Sequence, residues 1–399
     1  MADLIRATAR TRLWVALTLG ATLASGASTY YVSPSGSNSN PGTAELPFQT
    51  LQAAVDAAGP GDTIEVQDGV YPPPASAGCS GGRGYALNLT KGGAPGAPIV
   101  LKAARKWGAV LDAASMCHSY IYLWGGANYW VIEGFVVTRG YWMGIGSNSG
   151  ASNVTIRGNR FEDIGRREEY ARYGIAGTYA NADSHDIVID GNVFRDIGRI
   201  AGIHPFNDHG LYLHSRNSLI INNVFHHPIS GWGIQTSYGF SGVIANNTFH
   251  GPHSSREGQL MLWDLNGDVV IRNNIFYEPR GQAITSYAFS LAANASCKVE
   301  HNIVFGSGVT LGAPSSCSTS ANMSETDPKL VNATQPPYDF RLRPESPAIG
   351  AGVAIPGATV DFEGTPRANP PCIGAYERIP LRPPRQTITL PPRGPGQDR

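Results

Sequence analysis

Charge is scarce in this chain. Asp, Glu, Lys and Arg together make up 15% of its 399 residues, and the formal net charge is zero. Lysine is almost missing from the middle of the sequence, where Lys298 stands alone; a reaction that needs a lysine base is therefore hard to place. Long apolar runs are missing too. After the N-terminus none approaches the roughly 18 residues that would cross a bilayer, so no membrane span is expected. No Cys-x-x-Cys pair and no Cys/His spacing points to zinc. Helical periodicity is confined to one short stretch. What the chain has in quantity is turn formers, 48 Gly and 29 Pro, which suits a β-rich protein with many tight corners.

The charges present are unevenly placed. The body from 28 to 377 carries 22 Lys+Arg against 28 Asp+Glu, and the tail from 378 to 399 carries five Arg against one Asp. An acidic body argues against nucleic acid, which attracts a basic face. The tail is rich in Pro and Arg and reads as disordered. At the other end, Arg6, Arg10 and Arg12 precede an apolar run over 13–24, followed by Ser25-Gly26-Ala27. That pattern predicts an export signal over 1–27 and a secreted, extracellular or periplasmic protein. Export permits disulfides. Cys297 and Cys317 lie 20 residues apart, about one turn of the repeat described next, and are expected to pair. Cys79 with Cys117 is a second, looser expectation, and Cys372 is left over.

Repetition organises the chain. I-x-x-N-x-F occurs at 156–161, 189–194, 220–225, 244–249 and 271–276, and 299–304 keeps the Asn between aliphatic residues. The Asn residues are Asn159, Asn192, Asn223, Asn247, Asn274 and Asn302, spaced by 33, 31, 24, 27 and 28. A second series interleaves with them: Gly174, Gly210, Gly233, Gly258 and Gly281 open GIAGT, GLYLH, GIQTS, GQLML and GQAIT. Short strands at this period, with no helical pattern and no leucine-rich or propeller signature, predict a solenoid of stacked β-coils. Its Ile and Phe columns would fill the interior. The Asn column would sit at a corner, each Asn tolerating left-handed backbone and bonding its own turn, with stacked side chains also bonding one another up the column. None of these Asn is a catalytic candidate. Near the start, 52–58 (QAAVDAA) predicts an amphipathic helix that plugs the open end of the stack. The single domain thus runs over 28–377, with a cap over 30–71, coils over 98–310 and an irregular segment over 327–377 lying along the last coils.

The stretch YYVSPSGSNSNPGTAELPFQTLQAAVDAAGPGDTIEVQDGVY at 30–71 resembles the start of bacterial right-handed β-helix proteins of the pectate-lyase-like superfamily. The ending DPKLVN…DFRLRPESPAIGAG…DFEGTPR…CIGAYE over 327–377 is similar to the terminal segment common in that group. The resemblance implies an all-β fold, a right-handed parallel β-helix with an N-terminal capping helix. It leaves the reaction open among lyases, hydrolases, epimerases and proteins without activity. The NTD…DD…GHG aspartates of polygalacturonase-type hydrolases are absent, and Asp208-His209-Gly210 only faintly echoes the last element. The W-x-D-H and R-x-P-x-x-R patterns of the main pectate lyases and the D-P-H-D motif of alginate epimerases are absent too.

Seven of ten histidines fall between His204 and His253, beside the longest inter-coil loop, 195–209. Strand alternation turns Leu211, Leu213, Ile234, Leu260 and Leu262 inward. Tyr212, Gln235 and Met261 then form one outward column, and His214, Ser237 and Trp263 another. Tyr173, His209, Trp232, Glu257 and Arg280 flank them just before the glycines. Such a strip suits an acidic polysaccharide: Tyr212, Trp232 and Trp263 offer flat faces to sugar rings, and Arg256 or Arg280 pairs a uronate carboxylate. β-Elimination requires a base and a neutralised carboxylate. His209 is the expected base, oriented by Asp208 or assisted by Tyr212, with His214 second. Arg256 completes the catalytic set; Tyr173, His204, Trp232, Gln235, Glu257, Trp263 and Arg280 complete the binding set. In many such lyases calcium neutralises the carboxylate, and Asp208, Glu257 and Asp264 are the nearby oxygen donors, but no calcium-loop spacing is visible, so the metal is left open. The expected partner is a uronate-containing polysaccharide met by a monomer. A hydrolase would need two carboxylates on one face about 5–10 Å apart, and a binding protein would hold sugar without turnover.

Overall fold

The computed structural model describes residues 26–147, 150–165, 175–180, 184–198, 208–226, 229–237, 239–251, 257–263, 265–286 and 289–378. The export signal expected over 1–27 and the tail after 378 fall almost wholly outside that set.

Each coil lays down three short strands in turn, one in each of three parallel sheets. Sheet A has eleven strands, from Thr29–Val32 to Ser318–Ser320. Sheet B has nine, from Gly69–Tyr71 to Ile303–Phe305, and sheet C has eight, from Tyr85–Leu89 to Ile284–Ser286. The result is a right-handed parallel β-helix, the hand that parallel crossovers strongly prefer. Among the described residues no helix is long and apolar enough to cross a membrane.

The repeat explains the stacking. In sheet A, Ile156, Ile189, Ile220, Ile244, Ile271 and Val299 pair in register from coil to coil. In sheet B, the rings of Phe161, Phe194, Phe225, Phe249 and Phe276 stack at 4.8–4.9 Å, all fully buried. That spacing is the strand separation itself. Identical side chains therefore fall on one another without any register choice.

The corner between sheets A and B carries the Asn ladder. Asn192 Nδ2 donates to Asn223 Oδ1 at 3.0 Å and to Ile156 O at 2.9 Å, and the Asn192 N–H donates to the same Oδ1 at 2.9 Å. The pattern repeats at Asn159, Asn223, Asn247, Asn274 and Asn302, and Asn322 extends it by one rung. One expectation is corrected here. The left-handed residue is the one before each ladder Asn: Gly158, Gly191, Asn222, Asn246, Asn273 and His301 all have φ between 53° and 64°. The ladder side chains bond the neighbouring coils, as the stacked column predicts, with the bond to the residue's own turn seen at Asn302, whose Nδ2 also donates to Glu300 O at 3.1 Å. The ladder position needs a buried amide; the left-handed position favours Gly or Asn, with His301 the exception at the last full coil.

Helix Leu51–Ala57 covers the N-terminal end as expected. Its Thr50 cap accepts from the Ala53 N–H, and Leu51, Ala54 and Val55 are buried in the main core. The C-terminal segment packs on the outside of sheet B, where Leu330, Phe340, Leu342 and Ile373 meet Val224, Ile275 and Ile303. It also meets sheet A, where Ile355 and Ala358 cover Ile221 and Ala245. Cys79–Cys117 and Cys297–Cys317 are both bonded, and Cys372 is a buried free thiol. The second bond staples the last full coil to the final strand of sheet A. Replacing Cys297 and Cys317 together by Ser is expected to cost about 2–4 kcal/mol in chemical denaturation. An unchanged midpoint would mean that the last coil is held without it.

Candidate functional site

With sheets A and B carrying the C-terminal segment, the outer face of sheet C is the face that bears the outward columns. Leu211, Leu213, Ile234, Leu260, Leu262 and Ile284 point into the core. The residues between them pair in register as one column: Asn88, Tyr122, Gly146, Tyr179, Tyr212, Gln235, Met261 and Thr285. Tyr212, Gln235 and Met261 thus stand one above another, as strand alternation requires.

Around Tyr212 the structure gathers Asp208, His209, His214, Trp232 and Gln235. His209 opens strand His209–Leu213, and its ring stacks on Trp232 in the next coil at 5.1 Å between centroids, 23° apart. The Trp232 backbone N–H donates to His209 Nδ1 at 3.1 Å, and Trp232 Nε1 donates to the Glu257 carbonyl at 2.9 Å. The Tyr212 ring lies 5.9 Å from His209 and 4.4 Å from His214, edge-on to the latter. Two glycines make room. A Cβ at Gly231 would come within 2.5 Å of His209 Nδ1, and one at Gly198 within 2.5 Å of Asp208 Cβ.

Exposure separates these groups. Asp208, His209, His214, Trp232 and Gln235 are at most 6% exposed, whereas Tyr212 is half-buried. Tyr212 is therefore the side chain a ligand on this face meets first. Burial pushes the His214 imidazolium down to about 4, so the ring is neutral at pH 7.

This geometry limits two of the expected roles. A His209 that accepts at Nδ1 carries its proton on Nε2, which is the tautomer of a donor rather than of a base. Trp232, buried and stacked on His209, offers no open face to a sugar. Glu257 and Arg280 are exposed on the corner beside sheet C. Arg280 precedes strand Ile284–Ser286, three strand positions from Tyr212, or roughly 14 Å. It is not brought to the Tyr212 cluster. Trp263 is partly buried, two coils from His214. Tyr173, His204, Arg256 and Asp264 lie outside the described residues. Among the described residues no three His, Cys, Asp or Glu side chains converge to hold a metal ion.

Sequence reasoning passed over a second set on the same face. Tyr85, His118, Tyr122, Trp124 and Trp142 cluster on the first strands of sheet C, with Tyr85 and Tyr122 stacked at 4.0 Å. The alternation in HSYIYLW at 118–124 was the available signal.

His118 and His214 also set a pH response. Burial lowers both from 6.5 to about 4. Between these values the unfolded chain binds protons that the folded chain refuses, so stability is full above about pH 6.5 and falls as pH drops toward 4. The loss is expected to be on the order of 2–3 kcal/mol per histidine after allowing for partial solvent screening. Denaturation midpoints between pH 7 and pH 4.5 check this, with His118→Gln expected to fall less steeply. A wild-type midpoint that does not move would refute it.

Comparisons with known proteins agree with this architecture. Residues 30–192 match the family described as Pel9A-like, right handed beta helix region, and residues 182–327 match the family described as Right handed beta helix region. Pectate lyase L of Dickeya dadantii is 33% identical over 150 residues, which are 35% of this chain and 34% of that enzyme. Pectate lyase PEL9 of Emericella nidulans is 35% identical over 86 residues, 22% of this chain and 18% of that enzyme. The matches thus span about a third or less of these relatives. The solved alginate lyase of Paenibacillus sp. str. FPU-7 shares the fold, with a TM-score of 0.55 and 20% identity, covering 74% of this chain and 95% of that one.

Proposed function

We propose that this chain, a pectate-lyase-like right-handed parallel β-helix protein, is an extracellular or periplasmic lyase that cuts a uronate-containing polysaccharide by β-elimination on the outer face of sheet C. The observation that carries the reading is the pairing of a half-open Tyr212 with an edge-on, neutral His214 at the centre of an in-register outward column. The two disulfides suit an oxidising compartment, and the pectate lyase relatives favour a polyuronate.

In this reading His214 takes the hydrogen from C5 of the uronate. The C5–H electrons form the C4=C5 double bond, and the C4–O bond breaks. The departing oxygen keeps that bond's electron pair and receives the Tyr212 phenolic proton. Return of the proton from His214 to Tyr212 closes the cycle. A base with so low a proton affinity is a poor acceptor before substrate arrives. The substrate's own carboxylate, arriving beside the ring, raises that affinity. His209, donating from Nε2, holds the uronate carboxylate and offsets part of its charge, and Asp208 and Trp232 fix the His209 ring. Arg280 and Glu257 meet residues farther along the chain.

The test is a panel of polyuronates and glycosaminoglycans, with and without calcium, followed by the ultraviolet absorbance of the unsaturated uronate. Absorbance that rises on at least one substrate supports the lyase. Reducing ends without absorbance would make the protein a hydrolase, and binding without either would make it a sugar-binding protein.

A further inference from the structure

The aromatic cluster on the first strands of sheet C has no part in the chemistry above. Tyr122 points outward, because its strand neighbours Ile121 and Leu123 are in the core. Its ring is stacked on Tyr85 at 4.0 Å and meets Trp124 edge-on at 4.8 Å. Trp124 is oriented by its Nε1, which donates to Asn88 Oδ1 at 2.9 Å. Trp142 joins through His118, at 6.0 Å and 22°. All five side chains are half-buried, unlike the phenylalanines of the core.

The cluster lies on the same column as the proposed site. Tyr122, Gly146, Tyr179 and Tyr212 succeed one another in register, which sets Tyr122 roughly 14 Å from Tyr212. Gly146, with no side chain of its own, lets Met143 Sδ and the edge of the Tyr122 ring close over the next step: a Cβ there would come within 2.5 Å of the sulfur and 3.0 Å of the ring. The cluster also carries no charge at neutral pH, since burial holds His118 neutral. Flat, uncharged, half-open rings suit the C–H face of a pyranose and have nothing with which to pair a carboxylate.

We propose that Tyr85, Tyr122, Trp124 and Trp142 form a distal platform of the same groove, stacking on a sugar ring a few residues from the cleaved bond without reading its charge. This rests on the polysaccharide reading of sheet C and adds a subsite to it. It gives the groove two unlike ends: an aromatic end toward the N-terminal cap, and a charged end at Glu257 and Arg280.

Two measurements on the full chain test it. On the polyuronate that is turned over, Tyr122→Ala is expected to raise KM about tenfold for long chains, with a much smaller change in kcat. The difference should fade on the shortest oligomers cut and persist at high salt, because stacking is not screened. Tyr122→Phe, which keeps the ring, should restore KM. An unchanged KM, an equal rise on short and long chains, or failure of Phe to rescue would overturn the platform. The second measurement is mobility in native gels cast with polygalacturonate or with alginate. If no polyuronate is turned over, the lyase reading fails by itself. Wild-type retention lost in Tyr122→Ala would then still support the platform, and equal mobility of the two proteins would sink it.

Discussion

Tyr212→Phe is expected to lower kcat for elimination by about 10²–10⁴-fold, the usual worth of a positioned proton-transfer group, while leaving the unfolding midpoint near the wild-type value. The ring still packs between His209 and His214; only the hydroxyl that protonates the leaving oxygen is gone. His214→Gln should lose activity on the same scale, since the amide cannot accept the C5 proton. His209→Gln should act mainly on KM, because its ring, fixed by the Trp232 N–H at Nδ1, serves as a donor. The double variant of Tyr212 and His214 should be little worse than either single one, as expected of groups that work as one unit. Steady-state kinetics on the cleaved polyuronate decide the matter. If Tyr212→Phe keeps kcat within a few-fold, the proton passes elsewhere.

The second large effect concerns the frame that holds this face in register. Asn223→Ala is expected to destabilise the protein by about 3–5 kcal/mol. Asn223 Nδ2 donates to Ile189 O and Asn247 Oδ1, and its Oδ1 accepts from both the N–H and the Nδ2 of Asn192. The side chain is fully buried, so truncation strands several polar groups away from water, at about 1–3 kcal/mol for each one left unsatisfied. Asn322→Ala removes the last rung, where one neighbour is missing and the site is partly exposed, and should cost only about 1 kcal/mol. Equilibrium denaturation of the two variants makes the comparison. Equal, small losses would mean that the ladder is not what holds the corner.

How much of this could be read from residues alone depends on which interactions are local. The solenoid was legible because strand alternation and the repeat interval put Ile on Ile and Phe on Phe, and the same alternation placed Tyr212, Gln235 and Met261 on one outward column. The corner was half legible. At 158–159 and 191–192 the pair is Gly-Asn, but at 222–223, 246–247 and 273–274 it is Asn-Asn. Composition there does not say which Asn takes the left-handed backbone and which the buried rung; only the ladder's hydrogen bonds decide. The repeat also runs farther than its motif. Ser318–Ser320 and Asn322 continue sheet A and the ladder with no Ile or Phe to announce them. At the site, the residue types in the His-rich stretch were visible, but their exposure was not. Trp232 is closed by His209 from the coil before, and the His209 tautomer is set by a backbone N–H from the coil after. Both are contacts between residues 23 apart, which no strand-by-strand pattern reports. The aromatic platform escaped because the early coils lack the Asn-Phe motif that marks the later ones. Phe135 stands at that corner, its N–H donating to Asn159 Oδ1.

The most direct test of the central claim is the mass balance of cleavage. An oligouronate of defined length is incubated with the protein, and the products are weighed by mass spectrometry. Elimination adds no water, so the two product masses should sum to that of the substrate, with the new non-reducing fragment one water lighter than its hydrolytic counterpart. Product masses that sum to the substrate plus one water would contradict the account and assign the groove to hydrolysis.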